Sequence, residues 1–413
     1  MLNKSLKGLI ATSVFGLLAG CGSTPLPPDL GCGVPGGLCA PVEPNTSAPP
    51  PAPPPEPERS DTVTSPVELY PGMGGGTQPQ ARAGSARVAL LLPLQSNALG
   101  QAAEAVRAGF LAGHERDRAG IEVDVIPSGD SPESTLEAYA RAVQQSDIVV
   151  GPLARSAVTA LATSNLVTKP TLALNHPQLE RLPQRMLVVG LSLEEEARQA
   201  ADWAAQEHPA GRALVLGGRA AWQQRVVGAF AARWSQLGYN HAAVELPVND
   251  GYVDGNALAE LRARLDIDRP NLVFAALDAG QLRQVRSALG TSLPTYGVSA
   301  ANPGRAPGVS VPELDGVRLL DVPWTVQPDH PQVMLYPRPL DADSLDMQRL
   351  YALGIDAFRL ARELAQRPGA DFELDGVTGR LSVRVSNGGW TLRRDEAAAV
   401  YRDGIGFETA TAR

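Results

Sequence analysis

The stretch "RVALLLPL" (residues 87–94) decides how the chain is read. A strand with one wet face alternates apolar and polar residues. An unbroken apolar run bounded by Pro93 is instead a strand buried on both sides, as in a parallel sheet covered by helices. The downstream pattern agrees. Leu99, Ala103, Val106 and Phe110 recur at 4-3-4 spacing, which places them on one face of a helix. "IEVDVIP" (121–127) reads as a second strand and 132–145 as a helix. "DIVVGPL" (147–153) is a strand, 154–163 a short helix, and "PTLALN" (170–175) and "MLVVG" (186–190) are further strands.

The same rhythm restarts at Leu191. Ser192, with Glu195 three positions on, forms a capping box for a helix over 193–207. Strands at 212–217, 242–248, 271–277 and 294–300 alternate with helices at 219–237, 254–265 and 279–289. "GVRLLDVPW" (316–324) reads as another strand. In 344–365, Leu350, Leu353, Ala357, Leu360 and Leu364 mark a strong helix. "GVTGRLSVRVSNGGWTL" (376–392) alternates around "SNGG", a hairpin signal. Strands alternating with helices imply parallel βαβ units. The expected fold class is therefore α/β, type I periplasmic binding protein-like, with two Rossmann-like lobes carrying parallel sheets. Lobe 1 is expected over 87–190 and 301–366, lobe 2 over 191–300 and 367–405. Ligands of such folds lie between the lobes, at the carboxyl ends of strands.

Outward from the folded part, residues 22–86 read as a disordered tether. "APPPAPPPEPE" (48–58) favours polyproline II and "PGMGGGTQPQ" (71–80) is flexible. Its reach runs from ~45 Å as a coil to ~200 Å fully extended. Before it, Lys4 and Lys7 precede an apolar run from Leu9 to Leu18, too short to span a bilayer and shaped like a secretory signal. The run ends in Leu18-Ala19-Gly20-Cys21, which resembles the lipobox of bacterial lipoproteins. That resemblance implies cleavage after residue 20 and acylation of Cys21, each buried methylene adding ~0.8 kcal/mol of membrane affinity. By the sorting rule of enteric lipoproteins, the same resemblance implies the outer membrane, since residue 22 is Gly and not Asp. Cys32 and Cys39 complete the three cysteines; an exported pair is read first as a disulfide closing a small loop in the tether.

The net charge of −8 becomes about −10 once Lys4 and Lys7 leave with the signal. That argues against nucleic acid, which demands a basic footprint, and against adsorption to anionic lipid. Lys169 is the one lysine after the signal, so a buried-lysine mechanism has a single candidate. No HExxH, P-loop or GxSxG elbow occurs. His114, His176, His208, His241 and His330 lack metal-ligand spacing, so neither metal nor cofactor is expected. Glu194, Glu195 and Glu196 are adjacent on a helix and do not share a face; a first turn of acids suits the helix dipole.

Several segments together resemble the C-terminal domain of the LpoA/LppC-type penicillin-binding protein activator family: "RVALLLPL", "ALGQAAEAVRAGFLAG", "VVGPL", "PTLALN", "GLSLEEEARQAA", "DVPW", "LYALGIDAFRL" and "GVTGRLSV". They occur in the family's order and cover roughly 87–405; "GLSLEEEARQAA" and "LYALGIDAFRL" discriminate best. The resemblance implies an outer-membrane lipoprotein facing the periplasm that binds a bifunctional class A penicillin-binding protein and stimulates peptidoglycan synthesis, without catalysis of its own. Longer members carry a helical-repeat domain where this sequence has its tether, so nothing that domain does is implied here.

Four loops after strands are expected to line the cleft: Ser96 and Asn97, Arg155 and Ser156, Asn175 and His176, and Gly217 and Gly218. Ser96 or Asn97 could hold an anion or serve as a plain N-cap. Trp222 and Trp324 are candidate interface anchors if exposed, and core residues if not. A small-molecule ligand is left open. The alternative function is a lipid-anchored solute-binding protein of an amino-acid-type importer, closing on its ligand. The fold alone does not separate the two.

Overall fold

In the computed structural model, every residue from Val88 to Leu92 is fully buried. Val88, Leu90 and Leu92 enter one hydrophobic core while Ala89 and Leu91 enter another, on the opposite face of the sheet. This is why the run has no polar position. The structure describes residues 85–410, excepting 119, 180, 305–308, 340–343 and 387–388. The signal, Cys21, Cys32, Cys39 and nearly all of the tether lie outside the described residues.

The first lobe starts with β1 (Ala86–Leu92), α1 (Gly100–Arg116), β2 (Ile121–Pro127), α2 (Pro132–Gln145), β3 (Ile148–Val150), α3 (Arg155–Thr163), β4 (Thr171–Ala173) and β5 (Met186–Val188). Its parallel sheet has the order β2-β1-β3-β4-β5. The second lobe runs α4 (Leu193–Glu207), β6 (Ala213–Gly217), α5 (Ala221–Gln236), β7 (His241–Glu245), a small hairpin of β8 (Val248–Asn249) and β9 (Tyr252–Val253), α6 (Gly255–Asp268), β10 (Leu272–Ala276), α7 (Ala279–Leu289), β11 (Thr295–Gly297) and β12 (Val317–Asp321). The chain then continues through α8 (Pro323–Val326), α9 (Leu345–Gln366), β13 (Phe372–Asp375), β14 (Arg380–Ser386) and β15 (Gly389–Asp395), and ends in β16 (Ala397–Arg402) and β17 (Gly406–Thr409).

The second sheet has the order β17-β16-β12-β11-β10-β6-β7. Its parallel part, read from β7, repeats the order of the first sheet: second strand, first, third, fourth, fifth. Two copies of one doubly wound unit thus account for the restart at Leu191. The antiparallel pair β16 and β17 extends it beyond β12.

The expected lobe boundaries need correction. β12 pairs in parallel with β11, Thr295 opposite Val317, so it closes the second sheet and does not belong to the first lobe. Conversely, Phe372, Leu374, Leu381 and Val383 of the β13–β15 sheet are buried in the core that β1 and α9 share. The chain therefore crosses between lobes at 189–192, 321–323 and 395–397. The register decides this: a strand joins whichever sheet offers an unpaired edge of matching direction, which periodicity does not reveal.

Helices α1 and α9 lie side by side and run in the same direction, with Gly113 against Ile355 and Phe358 and Asp117 paired to Arg362. A Cβ on Gly109 would sit 1.9 Å from the Tyr351 carbonyl, and one on Gly354 2.2 Å from that of Val106. Two glycines let the backbones touch where any side chain would hold them apart. The segments "ALGQAAEAVRAGFLAG" and "LYALGIDAFRL" are the two halves of that contact.

Candidate functional site

The third acid of α4 is not a surface residue. Glu196 shares the buried stripe of Ala197, Ala200, Ala201 and Ala204. Its Oε2 accepts from the Ser299 amide at 2.6 Å and its Oε1 from the Ser299 hydroxyl at 2.9 Å. Burial first, then the nearby Asp321 charge, pushes its carboxyl up to about 8.

Arg349, near the start of α9, reaches across to the same place. Its Nε and Nη2 donate to Asp321 Oδ1 and Oδ2 at 3.0 and 2.7 Å, a planar two-point pair. Nη2 also donates to the Ser299 carbonyl and Nη1 to Asp346, each at 2.8 Å. Asp321, fully buried at the end of β12, further accepts from Asn302 Nδ2 at 2.8 Å and from the Val322 amide at 2.7 Å. Because α9 packs on α1 in the first lobe while Ser299 and Asp321 end strands of the second, this network ties the lobes together.

The GVTG turn has a similar purpose. The Asp356 carboxylate in α9 is fully buried and accepts from the amides of Val377 and Thr378 at 3.1 and 2.7 Å and from the Thr378 hydroxyl at 2.7 Å. Arg394, from β15, donates to the carbonyls of Val189 and Gly190 at 2.7 and 2.9 Å, bracing the first crossing. Gln199 of α4 takes the Glu396 amide and donates to the Arg394 carbonyl, bracing the last. Burial, then the Glu196 charge, pushes the Glu396 carboxyl well above the usual carboxylate range.

Above Glu196 and Arg349 opens a cleft of about 680 Å³. Leu193, Trp222, Asp278, Ala300 and Asn302 line it from the second lobe, Ser344, Leu345, Asp346 and Leu350 from the start of α9, and Leu191 and Val322 from two crossings. Its volume is that of small-molecule sites.

None of the eight residues expected to line the cleft is among its lining side chains; Trp222, expected instead as an interface anchor, is one of them, half-buried early in α5. Ser96 is buried and its Oγ accepts from the Leu99 amide at 2.8 Å, the capping use, while Asn97 is exposed beside it. Arg155 opens α3 with Ser156 exposed next to it. Asn175 Nδ2 donates to the Leu153 carbonyl at 3.0 Å, and the His176 ring donates through Nε2 to Gly190 at 3.0 Å. Burial pushes His176 below the ordinary imidazole value. Gly217 and Gly218 are buried, and the Gly218 carbonyl accepts from Gln224 Nε2 at 2.6 Å. Trp324 is not a surface anchor: it is fully buried, tilted against Tyr351, with the Arg338 guanidinium 4.1 Å from its ring. It follows the crossing at Val322, where both lobes cover it.

Sequence reasoning misses Glu196, Ser299, Asn302, Asp321 and Arg349. Two signals are present. Glu196 falls on the apolar stripe of its helix, and Arg349 heads a helix rich in apolar and small residues. Neither says which partner, 28 positions away in the case of Asp321, completes the pair.

Solved structures share this architecture. One of a putative branched-chain amino acid ABC transporter from Chromobacterium violaceum is 36% identical, with a TM-score of 0.64 over 76% of this chain and 100% of that one. The LpoA C-domain from Haemophilus influenzae, described as a regulator of PBP1A, is 24% identical, with a TM-score of 0.63 over 79% of this chain and 100% of that one. Among curated proteins, the penicillin-binding protein activator LpoA of Aliivibrio fischeri is 29% identical over 330 residues, covering 72% of this chain and 54% of the relative. That of Photobacterium profundum is 27% identical over 331 residues, covering 72% and 53%. The chain thus spans about half the length of the curated relatives it matches. The family model described as "LppC putative lipoprotein" matches residues 80–404, taking in both lobes, all three crossings and the Arg349 network, and to that family this chain belongs.

Proposed function

We propose that this chain is an outer-membrane lipoprotein, anchored through Cys21 and facing the periplasm, that binds a class A penicillin-binding protein and stimulates peptidoglycan synthesis without chemistry of its own. One observation carries the reading: across both lobes the chain resembles proteins named as penicillin-binding protein activators, at 27–29% identity. The physical arrangement supports it. An activator tied to one membrane must cross part of the periplasm to reach an enzyme rooted in the other, and residues 21–86 supply reach on the order of 45–200 Å. The polar networks at the crossings hold two lobes as one surface, which suits a rigid docking body. Membership of a lipoprotein family agrees with acylation of Cys21. The Cys32–Cys39 disulfide belongs to the same proposal.

A second reading, a solute-binding protein for an amino-acid-type importer, is favoured by the 36% identical structure named as a branched-chain amino acid transporter and by the cleft. The deciding experiment adds the mature chain carrying Cys21→Ser to the class A synthase of the same cell and follows glycan polymerisation and crosslinking. A saturable rise in rate is expected. No change with any class A synthase of that cell would remove the activator reading.

A further inference from the structure

We propose that the joint between the lobes is a proton-operated latch, in which Glu196 and Glu396 keep the lobes together in their neutral form and release them on losing their protons. The inference does not depend on the activator reading.

The geometry makes the neutral acids the stable form of the joint. Glu196 stands on α4. Gln199, one turn further along the same face, accepts the Glu396 amide at 3.1 Å. Two acids are thereby brought to the place where the last crossing leaves the first lobe. Among the described residues, neither carboxyl has an arginine as a hydrogen-bond partner. The two arginines beside them are committed elsewhere. Arg349 holds Asp321, Asp346 and the Ser299 carbonyl. Arg394 holds the carbonyls of Val189 and Gly190 and the Thr378 hydroxyl. Glu196 receives the amide and hydroxyl of Ser299, and Glu396 Oε2 is buried with no hydrogen-bond partner among the described residues. A carboxylate buried in that condition is costly, and a neutral carboxyl is far less so.

The other acids around the joint deepen the effect. Asp321 of β12 faces both carboxyls, and Glu195 of α4 faces Glu396. Arg349 of α9 opposes them at Glu196 and Arg394 of β15 at Glu396, while Asp356 of α9 draws on Arg394. Burial first, then Asp321, places Glu196 at about 8; burial first, then Glu196, places Glu396 well above the usual carboxylate range.

Both acids lie where the lobes meet, so swinging the lobes apart admits water to them and returns them to ordinary carboxyl behaviour. The shut form then holds protons that the open form has lost, and opening rises with pH. Each acid contributes up to about tenfold in the opening equilibrium per pH unit, until pH passes its value in the shut form.

The test is residue-resolved hydrogen exchange on the mature chain with Cys21→Ser, corrected for the intrinsic rate at each pH. The decisive reporter is the Trp324 amide. It donates to the Val377 carbonyl at 3.0 Å beside the second crossing and hydrogen-bonds to neither acid. Between pH 6 and 8, protection at Ser299, Trp324 and Glu396 is expected to fall at least about tenfold more than in the centre of β1. Glu196→Gln with Glu396→Gln, which copies the neutral acids, should abolish that difference, and each single variant should leave about half of the logarithmic fall. Equal losses at Trp324 and in β1 would make the protons a matter of global stability and overturn the latch. So would protection at Trp324 that does not change with pH, or a difference that persists in the glutamine variants. The synthase assay is a separate readout, so failure here leaves the activator reading standing.

Discussion

Arg349, on a helix of the first lobe, clasps Asp321, at the end of the second lobe's fifth parallel strand, through two hydrogen bonds of 3.0 and 2.7 Å. In a clamshell binding protein this region would open and close. Here a buried ion pair with further partners on both sides spans it, and opening would separate two charges that are each other's main compensation.

Removing one member should therefore be costly. Arg349→Met is expected to lower unfolding free energy by about 3–5 kcal/mol, because it leaves Asp321 charged and buried. The double variant Arg349→Met, Asp321→Leu should cost clearly less than the two single costs together. The exposed pair of Arg402 and Glu408 is the control, and Arg402→Ala should cost no more than about 1 kcal/mol. Urea denaturation checks each variant; equal losses at both sites would refute the clasp.

Glu196 makes stability depend on pH with a defined sign. Its carboxyl sits at about 8 in the fold, against 4.5 for the ordinary group. Between these values the folded chain holds a proton that the unfolded chain has lost. The contribution is whole below about 4.5 and lost as pH rises through about 8, at up to about 1.4 kcal/mol per pH unit. His176 and His208 shift downward and are largely neutral in both states above pH 7, so a window of about pH 7–8 isolates the acids. Glu196→Gln should flatten the fall in that window, leaving the slope from Glu396. An unchanged slope in chemical denaturation series would count against the assignment.

The contact between α1 and α9 should tolerate no added methyl. Gly354→Ala gains helix propensity of about 1 kcal/mol in isolation. Yet its Cβ would lie 2.2 Å from a backbone oxygen that cannot rotate away. The helices must separate, and a net loss of at least about 1–3 kcal/mol is expected from melting curves. Gly228→Ala, on α5 with open space around it, should instead stabilise.

Lipidation is read out by location. Cys21→Ser should move the protein from the membrane pellet to the soluble periplasmic fraction. Continued pelleting of the variant in cell fractionation would place the anchor elsewhere.

Much of the architecture is legible in the sequence because local physics dictates it. A double-faced apolar run such as Val88–Leu92 has no stable place except between two helical layers, and 4-3-4 spacing has no meaning except on a helix. The expected spans 121–127, 132–145, 193–207 and 279–289 coincide with observed elements. The sites are less legible. Ser96 and Asn175 have side chains suited to a ligand, but each satisfies a nearby backbone group, a use that the same residue types serve equally well. The place of Trp324 is undecidable from its neighbours in the chain, because exposure depends on what folds over it.

By itself, then, the order of residues determined the two-fold repeat of strand and helix, the caps and the apolar faces, since each depends on neighbours a few positions apart. Only the tertiary structure decided which sheet β12 joins, that Glu196 turns inward, that α1 and α9 meet at their glycines, and that Arg349 finds Asp321. Those outcomes rest on pairings between distant segments, where the free energy belongs to the assembled pair and to neither residue alone.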